Sequence, residues 1–114
     1  MGTPPALPVP AATSTIHEAD RGPSKSVEWG PEIDFAAAVI RRKNGLNVVV
    51  RGNDDRANRD LARRIEEAVG PWIEHGAHRT IVGHCALPHF QQQTVPPGEH
   101  TFFEEKGYKS RRKK

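Results

Sequence analysis

Cys85 is the only cysteine in the chain, so no intramolecular disulfide can form and a disulfide-stapled secreted scaffold is excluded. Long apolar runs are missing too: nothing approaches the ~20 consecutive apolar residues that a membrane-spanning helix needs. The opening MGTPPALPVPAATSTIHEAD lacks the basic start and unbroken apolar stretch of a secretory signal. TPPA after Gly2 does not fit a myristoylation signal either. These absences lead to the expectation of a soluble, cytoplasmic protein in a reducing compartment, with no membrane association. Apolar residues are scarce overall, 35% of 114, and unevenly spread. One domain is expected, smaller than the chain, since domains commonly run to about 100–150 residues.

What is present divides the chain in three. Residues 1–31 hold six of the ten prolines, interleaved with Ala, Ser, Thr and Gly. That composition predicts a disordered segment over 1–32, with Trp29 as an anchor onto the domain or an exposed tail residue. Residues 33–105 are expected to form a compact α+β domain, one helix packed on a small, mainly antiparallel sheet. Residues 106–114, KGYKSRRKK, carry six basic residues and no acid, a basic tail that attracts polyanions or only aids solubility.

Within the middle region, FAAAVIRR, KNG and LNVVVRG read as strand, turn and strand, because Val and Ile suit a pleated surface and Asn-Gly suits a tight hairpin. NDDRANRDLARRIEEAVGP reads as a helix over about 54–69. Ala57, Leu61, Ile65 and Ala68 recur at helical spacing, Asn53 or Asp54 is placed to cap, and Gly70-Pro71 is a stop. Asp60 with Arg64, and Arg63 with Glu67, stand four apart on its outer side. From Trp72 onward the periodicity is mixed, which predicts an ordered loop with one short strand around 87–92. TVPPGE then reads as a turn and HTFFE as a final strand. There is no internal repeat.

HCALPHFQQQTVPPGEHTFFEE, residues 84–105, gathers three histidines, the cysteine and three phenylalanines. His75, His78, His84, Cys85 and His89 have the donor atoms that zinc takes. Their spacing argues against it: there is no CxxC, no HExxH and no zinc-finger register. No metal or other cofactor is expected.

The other chemistry open to histidines is acid–base. Cleaving RNA through its own 2′-hydroxyl needs a base for that proton and an acid for the leaving 5′-oxygen. It also needs a cation for the charge at phosphorus. Imidazoles titrate near neutrality and suit the first two roles. His89 and His100 fall on successive predicted strands, which brings them together as the candidate pair. Gln91 and Thr101 are candidates for orienting substrate. Arg41, Lys43 and Arg51 are candidate phosphate contacts, and Phe102 a candidate to stack an unpaired base. Strand alternation puts His89 with Gln91, and His100 with Phe102, on one face, while Phe90, Thr101 and Phe103 turn to the other. The alternative is that the histidines only pack, and that the basic tail and Arg-rich surface make a non-enzymatic nucleic-acid- or protein-binding module.

The layout LPHFQ, a Pro/Gly loop, then GEHTFFE, after one helix and before a basic C-terminus, resembles the C-terminal toxin modules of bacterial polymorphic toxin systems. The likeness covers about the last third of the chain, through Pro88-His89, Gln91, His100 and Phe102, with Gln91 where such strands often carry a second histidine. It implies a helix on a small twisted sheet, RNase activity on an RNA partner, and a cognate inhibitor or immunity protein.

Overall fold

The computed structural model describes residues 14–22, 26–75 and 87–113. The elements are β1 (Thr15–Arg21), β2 (Val27–Ile33), α1 (Phe35–Lys43), β3 (Asn47–Arg51), α2 (Asp55–Val69), β4 (Trp72–His75), β5 (His89–Gln92), β6 (Thr101–Phe103) and β7 (Arg111–Arg112). The fold is α+β, with two helices rather than one among the described residues. The strands of the described residues form one sheet in the order β4-β5-β6-β3-β1-β2-β7. β1–β2, β1–β3, β4–β5 and β5–β6 pair antiparallel, while β3–β6 and β2–β7 pair parallel, so the sheet is mainly antiparallel but mixed.

FAAAVIRR, expected as a strand, is the body of α1. Asp34 caps it, accepting the Ala37 amide at 2.8 Å, and three successive alanines carry the strongest helix propensity. Arg41, Arg42 and Lys43 then suit the negative end of the helix dipole. Asn44-Gly45, with Gly45 at φ +75°, closes a helix and not a hairpin. α2 forms where the sequence places it. Asp54 accepts the Ala57 amide at 3.0 Å, and Gly70 ends the helix. Arg63 pairs with Asp60 and Glu67, Arg64 with Asp60 and Arg59 with Glu74, which makes the outer face a solvated ion-pair network.

β1 and β2 lie inside the stretch expected to be disordered. Four of its six prolines precede residue 14, outside the described residues, and the TIHEADR and VEWGPEI segments pair as strands. The β1–β2 register shifts between His17 and Ala19, so that Gly30 and Pro31 are carried by a bulge. Pro31, without an amide proton, fits such a position. His17 seals the bulge through Nδ1, 3.0 Å from the Gly30 carbonyl. The basic tail is also held, not loose. Glu105 bridges to Tyr108, the Ser110 amide donates to Glu104 at 2.9 Å, and β7 lies along β2. The Lys113 amide donates to the Trp29 carbonyl at 2.8 Å, and its ammonium pairs with Asp20.

Both helices cover one face of the sheet, where Ile16, Val48, Val50, Phe90 and Phe103 meet Ala38, Ala62 and Ile65. On the other face Ala19, Val27, Val49, Leu87 and Phe102 form a smaller buried cluster with Trp29 and Tyr108 against it. Between α1 and α2 lies a buried ion pair. Arg42 donates from Nε to Glu66 at 2.6 Å, and neither side chain is exposed. Ile65 is fully buried and Leu61 half-buried. Ile65→Ala should therefore cost about 2–5 kcal/mol and Leu61→Ala less, read from urea denaturation midpoints.

Candidate functional site on the sheet face opposite the helices

Alternation along β5 and β6 sorts the 84–105 stretch cleanly. Phe90 and Phe103 turn inward and stack at 5.3 Å, and Gln92 donates to Glu66 at 2.8 Å. His89, Gln91 and Phe102 turn the other way, and His100, just before β6, shares the face of Phe102. β4 adds His75, which pairs across the strands with His89. Three imidazoles then form a row. His75 and His89 stack at 5.3 Å between centroids, and His89 meets His100 at 4.2 Å. Phe102 presents ring edges to His89 and His100 at 5.4 and 5.3 Å. The row borders a pocket of about 230 Å³ with Arg21, Leu87 and Gln91.

His100 is the most constrained of the three. Its amide donates to Asn47 Oδ1 at 2.9 Å, and its carbonyl accepts from the Val48 amide at 3.3 Å. Arg42 holds the preceding turn, donating to the carbonyls of Gly98 at 2.8 Å and Glu99 at 3.1 Å. Among the described residues the His100 Nδ1 atom is buried with no hydrogen-bond partner. Burial foremost, then the nearby His89, Arg21, Arg42 and His75, lowers the His100 pKa to about 3. The ring is therefore neutral at neutral pH. His89 is buried, with Nδ1 3.3 Å from the Leu87 carbonyl, and His75 is exposed at the rim. Arg21 stands at the mouth, 3.7 Å from Glu99, with both side chains substantially exposed.

Of the residues singled out in the sequence, His89, His100, Gln91 and Phe102 come together here and four others do not. Thr101 faces the core and donates to Glu66 at 2.5 Å, as its place in the alternation requires. Arg41 sits on α1, donating to the carbonyls of Asn47 at 2.8 Å and Ala19 at 3.2 Å. Lys43 is exposed at the end of the same helix, because the segment carrying both is not a strand. Arg51 lies at the far end of β3, paired with Glu104 at 3.1 Å. Phe102 is only 4% exposed, so it braces the imidazoles and offers no face for a base. Sequence reasoning missed Arg21, which lies in a segment whose prolines read as linker, and singled out His75 only as a metal ligand. The signal for both was the strand character of TIHEADR and WIEH.

Of the five candidate zinc ligands, His78, His84 and Cys85 lie outside the described residues. Among the described residues no group of three or more His, Cys, Asp or Glu is placed to hold a metal ion, and no helix is long and apolar enough to cross a membrane. Compared with family models, curated proteins and solved structures, the chain matches none.

Proposed function

We propose that this chain is a small, metal-independent ribonuclease-like module of toxin type, cleaving RNA by histidine acid–base chemistry in the pocket on the sheet face opposite its helices. The observation that carries the reading is the contact of His89 with His100, ring centroids 4.2 Å apart, in a pocket whose mouth holds Arg21. Convergent titratable groups in a concave site are the physical mark of acid–base chemistry.

The proposed roles follow from the demands of in-line displacement. In-line displacement puts the attacking 2′-oxygen and the leaving 5′-oxygen on opposite sides of phosphorus, so base and acid must bracket the phosphate. Adjacent rings 4.2 Å apart leave no room for that. His75 and His100, on either side of His89 in the row, do. Neutral His100 takes the 2′-hydroxyl proton, and His75 gives a proton to the 5′-oxygen. His89 lies between them against the phosphoryl oxygens, and Arg21 supplies fixed positive charge. The 2′-oxygen–phosphorus bond forms as the phosphorus–5′-oxygen bond breaks. The products are a 2′,3′-cyclic phosphate and a free 5′-hydroxyl.

Purified protein incubated with single-stranded RNA in EDTA should yield fragments with those two ends, and should leave DNA of the same sequence intact, since DNA lacks the 2′-hydroxyl. Expression in bacteria should arrest growth, and a cognate inhibitor that covers the cleft should relieve the arrest. RNA left whole with and without Zn²⁺ would end the catalytic reading. The chain would then be a binding module whose histidines pack.

A further inference from the structure

We propose that the pocket beside Trp29 is a second subsite on the same face, which takes one nucleotide of single-stranded RNA and holds its phosphate on Arg112. This rests on the reading of the histidine cleft as an RNA site. Trp29 projects from β2 on the sheet face opposite the helices, with the Arg51 guanidinium 4.0 Å from its ring centroid and that of Arg112 at 5.7 Å. Arginine stacked on an aromatic ring keeps its in-plane N–H fork free for a phosphate. The surrounding charges are mostly paired: Arg51 with Glu104, Lys113 with Asp20 and Arg21 with Glu99. The Arg112 guanidinium has no hydrogen bond or ion pair with any described residue, and it rests on the Trp29 ring.

Arg112 is also placed, not left to wander. β7 pairs it with Trp29, and the Lys113 amide donates to the Trp29 carbonyl at 2.8 Å. Holding a short basic segment along a sheet edge serves no core, since both residues of β7 are exposed. It does fix an unneutralised cation over a pocket of about 420 Å³ bounded by Trp29, Gly30, Pro31 and Glu32. Such a volume lies in the range of small-molecule sites, about 300–1,000 Å³. Glu32 repels phosphate from its own wall, which leaves the Arg112 side for the anion. Trp29 stands level with Ala19 and Asn47, and Asn47 holds the His100 amide, so the two sites are separated across the sheet by β3 and β1, roughly 14 Å at ~4.8 Å per strand. A single strand of a few nucleotides is long enough to span that distance.

The test uses uncleavable 2′-O-methyl oligonucleotides of increasing length, titrated by fluorescence anisotropy against the full chain, Arg112→Ala and Arg112→Lys. Affinity of the unaltered chain should rise once the oligonucleotide is long enough to reach Trp29. Arg112→Ala should remove that rise, weakening long oligonucleotides roughly tenfold, as the loss of about 1.4 kcal/mol does. It should leave a dinucleotide unaffected. The slope of log affinity against log salt should fall by about 0.7, one single-strand phosphate contact. Arg112→Lys should keep the slope and lose part of the affinity, because an ammonium lacks the fork. Equal affinities for Arg112→Ala and the unaltered chain at every length would overturn the subsite. So would binding of polyglutamate, dependent on Arg112, that exceeds the binding of RNA, which would mark an acidic protein as the occupant. Because the probe cannot be cut, the result stands whether or not the histidine cleft cleaves RNA.

Discussion

Arg42→Met should cost the fold about 3–5 kcal/mol, as removing one partner of a buried ion pair does. Glu66 is fully buried and gathers every donor around it. It accepts from Arg42 Nε at 2.6 Å, Thr101 Oγ1 at 2.5 Å and Gln92 Nε2 at 2.8 Å. Arg42 in turn donates to Glu66 and to the carbonyls of Leu46, Gly98 and Glu99. Without the guanidinium, a buried carboxylate keeps only neutral donors, and three carbonyls lose theirs. Domains of this size are stable by only about 5–15 kcal/mol, so the variant should sit near the edge of folding. Glu66→Leu should be comparably harmful, for the converse reason. The double variant Arg42→Met/Glu66→Leu should lose less than the two single losses added together, because no charge is left buried. Urea denaturation of all four proteins measures this. A double variant no better than the sum would show that the pair is not coupled.

The second large effect is on cleavage. His75→Ala and His100→Ala should each lower kcat/KM about 10²–10⁴-fold, the usual weight of a positioned acid or base. The two together should lose little more than one, since groups acting in one step are not additive. His75 is exposed, so its variant should keep the parent thermal midpoint and give the clearest result. The pH dependence distinguishes the roles. Free His100 takes up its proton only at about pH 3, so as the base it is unprotonated throughout the range from about 4 to 7, at the cost of being a weaker base than an ordinary imidazole. On its account kcat/KM should stay level there, whereas an unperturbed histidine would impose a fall below about 6.5. A fall centred near 6.5 would remove His100 from the role of base. Stability carries the same signature. The unfolded chain binds that proton near 6.5 and the folded chain only near 3, so stability should decline as pH drops below about 6.5. In His100→Ala that part of the decline should vanish.

α2 was legible from its cap, its helical spacing and its stop, but its buried face is Asn58, Ala62, Ile65 and Glu66, and Ala68 of the expected stripe is exposed. The facing of His89, Phe90, Phe102 and Phe103 was legible because alternation is strict wherever one side of a sheet is buried. Other features were hidden by averaging. Prolines at 4, 5, 8 and 10 coloured the whole N-terminal stretch and masked β1 and β2, and with them Arg21. In FAAAVIRR, Val39-Ile40 points to a strand, yet Asp34 and the alanines decide for a helix. Arg42 and Glu66 look like surface charges in IRRK and IEEA. Only the meeting of two helices and a turn shows that they face each other. Strand alternation sorted the two strands that carry His89 and Phe102, but His75 and Arg21 come from elsewhere in the chain.

The parallel pairing of β3 with β6 has a kinetic consequence. Val48 aligns with Thr101 and Val50 with Phe103, so the middle of the sheet cannot zip from a local turn. α2 and the β4–β5 pair must first bring the chain back, and β2 with β7 must join residues near opposite ends of it. Such distant pairings bear their loop-closure entropy before any contact offsets it, which places folding with the slower topologies, in milliseconds to seconds and not microseconds. The histidine row spans β4, β5 and β6, so it is complete only when that late closure is, and a partly folded chain carries no assembled cleft.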